Sequence, residues 1–220
     1  MGYSVAIDGP AGAGKSTIAK KVAKQLGFIY VDTGAMYRAM ALHMLRNGIP
    51  AEYSAAISSA CESADITIEH RNGEQVVLLN GENVNGLIRT EEVGNMASAS
   101  SVNADVRKKL VSLQQKLAKT ADVIMDGRDI GTVVLPDADV KVYLTASSKV
   151  RAKRRYDELV QKGESCDLDT IEQDIIERDN RDMHREISPL RQAEDAILVD
   201  SSNMTIDEVV DKIISLTDRG

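Results

Sequence analysis

The segment "AIDGPAGAGKST", Ala6 to Thr17, constrains this chain more than any other. Within it, Gly9-Pro10-Ala11-Gly12-Ala13-Gly14-Lys15-Ser16 satisfies G-x-x-x-x-G-K-[ST] in full. An apolar stretch precedes the motif, and Ile18, Val22 and Leu26 follow at helical spacing. A loop that wraps a polyphosphate must turn its backbone N–H groups inward, and side chains would block that approach. Gly9, Gly12 and Gly14 permit the unusual dihedrals, while Ala11 and Ala13 add little bulk. Lys15 is expected to reach the β- and γ-phosphates, the Ser16 hydroxyl is placed for Mg²⁺, and Thr17 completes the loop. The helix that follows directs its positive dipole end at the anion. The motif sets a nucleoside-triphosphate site; alone it leaves kinase, ATPase, GTPase and motor open.

Short apolar strands alternate with helical patterns elsewhere, which predicts an α/β fold with a parallel sheet covered on both faces. Strands are expected at Tyr3–Ile7, Phe28–Val31, Asp122–Met125, Val140–Leu144 and Ala196–Val199. The stretch "DITIEHRNGEQVVLLNGENV" breaks that texture with two Asn-Gly pairs, Asn72-Gly73 and Asn80-Gly81, and predicts a small antiparallel sheet inserted over about residues 65–85. Capping boxes are expected at Thr170 with Gln173, opening a helix to Arg185, and at Thr205 with Glu208.

Of the 220 residues 43% are hydrophobic, with no Trp and only Phe28 as phenylalanine, so the core must be aliphatic and Met-rich. A net charge of −7 argues against a general nucleic-acid binder but leaves room for a small anion in a local basic site. Cys61 and Cys166 lack metal spacing and read as reduced thiols. The start "MGYSVAIDG" has neither a basic nor an apolar leader region. Position 6 is alanine, not the Ser or Thr that myristoylation needs, and no apolar run is long enough to span a membrane. A soluble cytoplasmic protein is expected.

A kinase needs a second anion site, made of cations gathered from separate elements. "RAKRR" places Arg151, Lys153, Arg154 and Arg155 together, with the three arginines on one helical face. "ERDNRDMHR" supplies Arg178, Arg181 and Arg185 interleaved with Asp179 and Asp182, and "DGRD" puts Arg128 and Asp129 just past the carboxyl end of a strand. Each cluster alone reads equally as a solvated, salt-bridged face; beside a phosphate loop, bidentate guanidiniums favour a second anion. In "VDTGAMYR", Thr33 offers a hydroxyl, Gly34 allows close approach and Arg38 follows a helical turn later; the other reading is an N-cap by Asp32 or Thr33 with Tyr37 packing. Asp126 is either an acid supporting Mg²⁺ or a partner of the turn before Gly127. His43, His70 and His184 occupy no convincing base position.

Together "DGPAGAGKST", "VDTGAMYR", "DGRDIGTVVLPDA" and "ERDNRDMHREISPL" resemble the bacterial cytidylate kinases, from about residue 3 to 215, and the 65–85 insertion resembles their extended monophosphate-binding region. The resemblance implies a P-loop three-layer fold. Its parts are a core with a central parallel five-stranded sheet (about 1–34, 86–145 and 190–220), a mobile monophosphate-binding region with the β insertion (about 35–85), and a helical lid (about 150–170). It implies γ-phosphoryl transfer from ATP to CMP or dCMP with Mg²⁺, by a protein that the family expectation makes a monomer, with no tightly bound cofactor, nucleic-acid polymer or membrane. Carried over by motif, Thr33, Arg38, Arg128 and Arg185 contact the acceptor phosphate. Ser98, preferred to Ser100 and Ser101 because it keeps nine residues to Arg107, reads the cytosine edge with Arg107 and Asp129. Arg178 and Asp182 hold the sugar, and Arg151, Arg154 and Arg155 belong to the lid. Lys15, Arg128, Arg185 and Arg155 are the catalytic set. Competing classes are another small-molecule P-loop kinase, a nucleotide switch, which no Asn-Lys-x-Asp segment supports, and a nucleic-acid enzyme, which acidity and scarce aromatics oppose.

Overall fold

The computed structural model describes residues 2–52, 54–71 and 73–218. In chain order its elements are β1 (Ser4–Asp8), α1 (Lys15–Leu26), β2 (Ile29–Asp32), α2 (Thr33–Arg46), α3 (Ser54–Ser63), β3 (Ile66–Arg71), β4 (Glu74–Leu79), β5 (Glu82–Asn83), α4 (Glu91–Ser100) and α5 (Ala104–Thr120). There follow β6 (Val123–Gly127), a π-helical turn (Ile130–Val134), β7 (Val140–Thr145), α6 (Ser148–Gln161), α7 (Leu168–His184), β8 (Ile197–Asp200) and α8 (Ile206–Ile214). A central five-stranded parallel sheet has the order β2-β6-β1-β7-β8, and a three-stranded sheet the order β3-β4-β5. Two compact units emerge, one of Tyr3–Phe28 with Ile124–Gly220, the other of Met1–Gly2 with Ile29–Val123.

In the first unit β1 pairs in parallel with β7 from Val5↔Val140 to Asp8↔Tyr143, and β7 with β8 from Val142↔Ile197 to Thr145↔Asp200. Every residue of β1 is buried, as a strand covered on both faces requires. β8 lies at the end of the sheet and leaves Ile197 and Leu198 exposed. At α8 the Thr205–Glu208 capping box forms as expected. The one at Thr170 does not: α7 starts earlier, and the Asp167 side chain caps it by accepting from Thr170 N at 2.8 Å. An aspartate standing upstream, charged and free to accept, captures the first-turn amide, and the Thr170 hydroxyl donates to the same oxygen at 2.7 Å.

The second unit has no Trp or Phe, and methionine fills much of its core. Met36, Met40 and Met44 form a fully buried stripe along α2 at helical spacing. The Asn-Gly expectation holds at Asn80-Gly81, where φ values of +51° and +82° make the two-residue turn between β4 and β5. At the other pair, β3 and β4 run antiparallel from Ile66↔Leu79 to Arg71↔Glu74; Gly73 has φ +79°, and Asn72 lies outside the described residues.

Candidate active site

The phosphate loop bridges β1 and α1. A Cβ on Gly9 would lie 1.9 Å from the Leu144 carbonyl oxygen, so only glycine lets the loop leave β1 so close to β7. Gly14 precedes α1 with φ +87° and no side-chain cap, and the first turn carries no acid, which leaves the helix amides for an anion. Lys15 is buried and its Nζ donates to the Pro10 carbonyl at 2.7 Å. Burial, then the Arg128 guanidinium, push the Lys15 ammonium down to about 7. Ser16 Oγ donates to Asp126 Oδ2 at 2.9 Å. The hydroxyl expected to face Mg²⁺ and the buried acid at the end of β6 are therefore in contact, an all-oxygen pair of the kind that a hard divalent cation takes together with phosphate oxygens. Among the described residues, no three His, Cys, Asp or Glu side chains group as a metal site.

At the end of β1 Asp8 accepts from the Ile130 and Gly131 amides at 2.8 and 2.7 Å, which fixes the loop carrying Arg128 and Asp129. Burial pushes the Asp8 carboxyl up to about 6, against those two bonds. Arg128 Nε donates to Asp182 Oδ2 at 2.8 Å, and Arg185 Nη2 stands 3.8 Å from Asp129 Oδ1 while its Nε donates to the Ser188 carbonyl at 2.6 Å. Burial alone would raise the Asp182 carboxyl, but Arg128, Arg178 and Arg185 hold it below its ordinary value. The sequence-expected Arg128, Asp129, Arg178, Asp182 and Arg185 thus form one cluster. Arg128 and Asp182 act electrostatically on Lys15.

The basic helix α6 divides its arginines. Arg151 is buried: Nε donates to the Ala146 carbonyl at 2.8 Å, Nη1 to the Ala11 carbonyl of the phosphate loop at 2.9 Å, and Nη2 meets Asp179 Oδ2 at 2.7 Å. Arg154 donates to the Ser201 carbonyl at 2.8 Å, and Arg155 pairs with Glu158 at 3.0 Å on the surface. The three do not act as one face; Arg151 braces the loop, and the other two lie outward.

In the second unit Asp32 caps α2, Oδ1 accepting from Ala35 N at 2.9 Å and Oδ2 meeting Arg89 Nη2 at 2.6 Å. Thr33 is buried in the first turn. A Cβ on Gly34 would lie 3.3 Å from Asp32 Oδ1 and 3.7 Å from Arg38 Nη1, so Arg38 folds back over the glycine at the helix start. The N-cap of "VDTGAMYR" is therefore Asp32, with Thr33 and Gly34 in the first turn of α2 and Arg38 folded back toward it. Arg107 is buried, stands 5.7 Å from the Tyr37 ring centroid and donates to the Ser101 carbonyl at 3.3 Å. Ser100 and Ser101 donate their hydroxyl protons to the carbonyls of Met96 and Ser98, both at 2.8 Å.

Sequence reasoning missed Asp8, Arg89 and Ser188, and it singled out Asp179 without its partner Arg151. Asp8, an acid closing an apolar strand just before the glycines, carried a local signal; the others act through contacts that leave no local pattern. Each histidine has a partner: His43 Nε2 meets Ser63 Oγ at 3.0 Å, His70 Nε2 the Tyr30 carbonyl at 3.1 Å and His184 Nδ1 the Asn180 carbonyl at 2.9 Å.

Comparison with known proteins agrees with this geometry. A cytidylate kinase from Caldicellulosiruptor saccharolyticus is 52% identical over 213 residues, 97% of this chain and 94% of that protein. One from Shouchella clausii is 48% identical over 215 residues, covering 98% and 96%. A crystal structure of an uncharacterized protein from Eubacterium ventriosum shares the fold at TM-score 0.54 and 14% identity, covering 99% of each chain. The family model for cytidylate kinase matches residues 5–219, and the chain belongs to that family.

Proposed function

We propose that this protein is an ATP-dependent cytidylate kinase that transfers the γ-phosphoryl of ATP to CMP or dCMP, giving CDP or dCDP. The observation that carries the reading is the cationic cluster beside Lys15, in which Arg128 and Asp182 stand close enough to act on the lysine. The loop from Gly9 to Thr17 binds the triphosphate, braced from behind by Arg151, and Arg154 and Arg155 close on it as part of a lid at about 150–170. Ser16 would ligate Mg²⁺ with Asp126 behind it; the cation supplies charge neutralisation on the phosphates. Thr33, Arg38, Arg128 and Arg185 hold the acceptor phosphate, within a monophosphate-binding region that includes about 35–85. Arg178 and Asp182 hold the sugar.

The acceptor oxygen is already anionic at neutral pH, so in-line transfer needs no general base. That suits a site whose histidines are engaged elsewhere. Catalysis comes from positioning and charge: Lys15, Arg128, Arg155 and Arg185 neutralise the group in flight. Ser98 and Asp129 accept from the cytosine amine beside Arg107; UMP presents a carbonyl there, a mismatch of about 1–3 kcal/mol. We place the enzyme in the cytoplasm as a monomer. The free thiols of Cys61 and Cys166 suit a reducing compartment, and among the described residues no helix is long and apolar enough to cross a membrane.

The test is ADP release with CMP, dCMP, UMP and AMP side by side. CMP and dCMP should be favoured, and Asp129→Ala should narrow the gap to UMP. Arg185→Ala should lower kcat by about 10³-fold. A preference for AMP, or fast ATP hydrolysis without any acceptor, would refute the assignment.

A further inference from the structure

Strand β2 ends the order of the central sheet, so among the described residues its outer edge has no hydrogen-bonded strand beside it. Alternate residues of a strand turn their main-chain groups to the same side, and Tyr30 and Asp32 are such a pair. Both are met by side chains of the inserted hairpin. The Asp32 amide donates to Gln75 Oε1 at 2.8 Å, and Gln75 Nε2 donates to the Asp32 carbonyl at 3.2 Å. His70 Nε2 reaches the Tyr30 carbonyl at 3.1 Å, so that nitrogen carries the proton. His70 and Gln75 are register partners across β3 and β4. One cross-strand pair thus makes with its side chains the bonds that a neighbouring strand would make with its backbone.

The clamp is itself held. Asn85 accepts from the Val77 amide at 2.9 Å and donates to the Gln75 carbonyl at 2.8 Å, which extends the ladder where β5 is only two residues long. On the other side of the clamp the Asp32 carboxylate caps α2, whose first turn carries Thr33, Gly34 and Arg38.

We infer that Gln75, seconded by His70, is a positioning residue for the acceptor nucleotide: it fixes both main-chain groups of Asp32 and so aims the α2 N-terminus and Arg38 at the monophosphate. This rests on the reading above that Thr33 and Arg38 hold that phosphate. Binding of ATP, on the Gly9–Thr17 loop, draws nothing from the clamp.

The test is steady-state kinetics with each substrate varied in turn. Gln75→Met keeps the shape and removes both bonds; the KM for CMP should rise about tenfold, while the KM for ATP stays within about twofold. Gln75→Glu keeps the acceptor for the Asp32 amide and loses the donor, so its rise in the KM for CMP should be smaller than that of Gln75→Met, again with the KM for ATP within about twofold. Parallel rises in both KM values, or no change in either, overturn the inference. Arg38→Ala separates the two levels of the argument. If it raises the KM for CMP and Gln75→Met does not, only the positioning role falls; if it leaves that KM unchanged, the acceptor assignment falls and this inference with it. Should Gln75→Met not fold, His70→Ala removes the adjoining bond and must show the same selectivity for CMP, or the proposal is wrong.

Discussion

Replacing Arg151 with methionine should cost more stability than removing any other charged side chain of α6. The guanidinium spans three partners, Ala146, Ala11 and Asp179, at 2.7 to 2.9 Å, and the Arg151 and Asp179 side chains are only 6% and 10% exposed. Among the described residues Asp179 Oδ1 is buried without a hydrogen bond, so the aspartate's charge depends on this one guanidinium. Removing one partner of such a pair strands a buried charge and costs about 3–5 kcal/mol, whereas exchanging both for apolar groups of similar volume costs little. Arg151→Met is therefore expected to lose about 3–5 kcal/mol, and Arg151→Met with Asp179→Leu to stand within about 2 kcal/mol of the starting protein. Urea unfolding followed by far-UV circular dichroism measures this; the chain has no tryptophan for fluorescence. The double variant should recover stability yet keep a raised KM for ATP, because the Ala11 carbonyl of the phosphate loop has lost its brace. If the two single losses simply add, or Arg151→Met costs under about 1 kcal/mol, the pair does not hold the loop as argued.

Three further outcomes follow from the site. With Lys15 at about 7 before nucleotide binds, it is largely neutral at pH 8 and is recharged by the incoming phosphates, so ATP binding should take up about one proton there and almost none at pH 6. By the same lowered value, the unfolded chain holds the extra proton between pH 7 and 10.5, and the nucleotide-free protein should gain stability as pH rises across that range. Calorimetry in buffers of different ionisation enthalpy reads the uptake, and none at pH 8 would contradict the shift. Gly9→Ala drives a methyl to within 1.9 Å of the Leu144 oxygen and should cost about 2 kcal/mol or more together with ATP affinity, seen as a lowered Tm that ATP no longer raises; an unchanged Tm would rule out the close approach.

Features that depend on neighbours in the chain were readable. The phosphate loop, the Asn80-Gly81 turn and the Thr205–Glu208 box each declare themselves within a few residues. The Thr170 box misled because a stronger acceptor, Asp167, stood three residues upstream. "RAKRR" showed four cations but not their fates: whether an arginine is buried against Ala11 or lies on the surface with Glu158 depends on what packs beside α6. Asp8 reaching the Ile130 amide and Gln75 reaching Asp32 are contacts of a side chain with remote backbone. Such contacts need no particular spacing, so they print no periodicity on the sequence.

The position of β1 between β6 and β7 has a consequence for synthesis. This strand is the first to be made and among the last to find its neighbours: Ser4 is bonded to Asp139, 135 residues further on. At ordinary translation speed the segment Val5-Ala6-Ile7 waits on the order of ten seconds before β7 has been polymerised. For most of that interval a strand wholly buried in the finished protein has no neighbouring strand to pair with, because β6 is completed only shortly before β7, and its apolar side chains stay open to wrong partners.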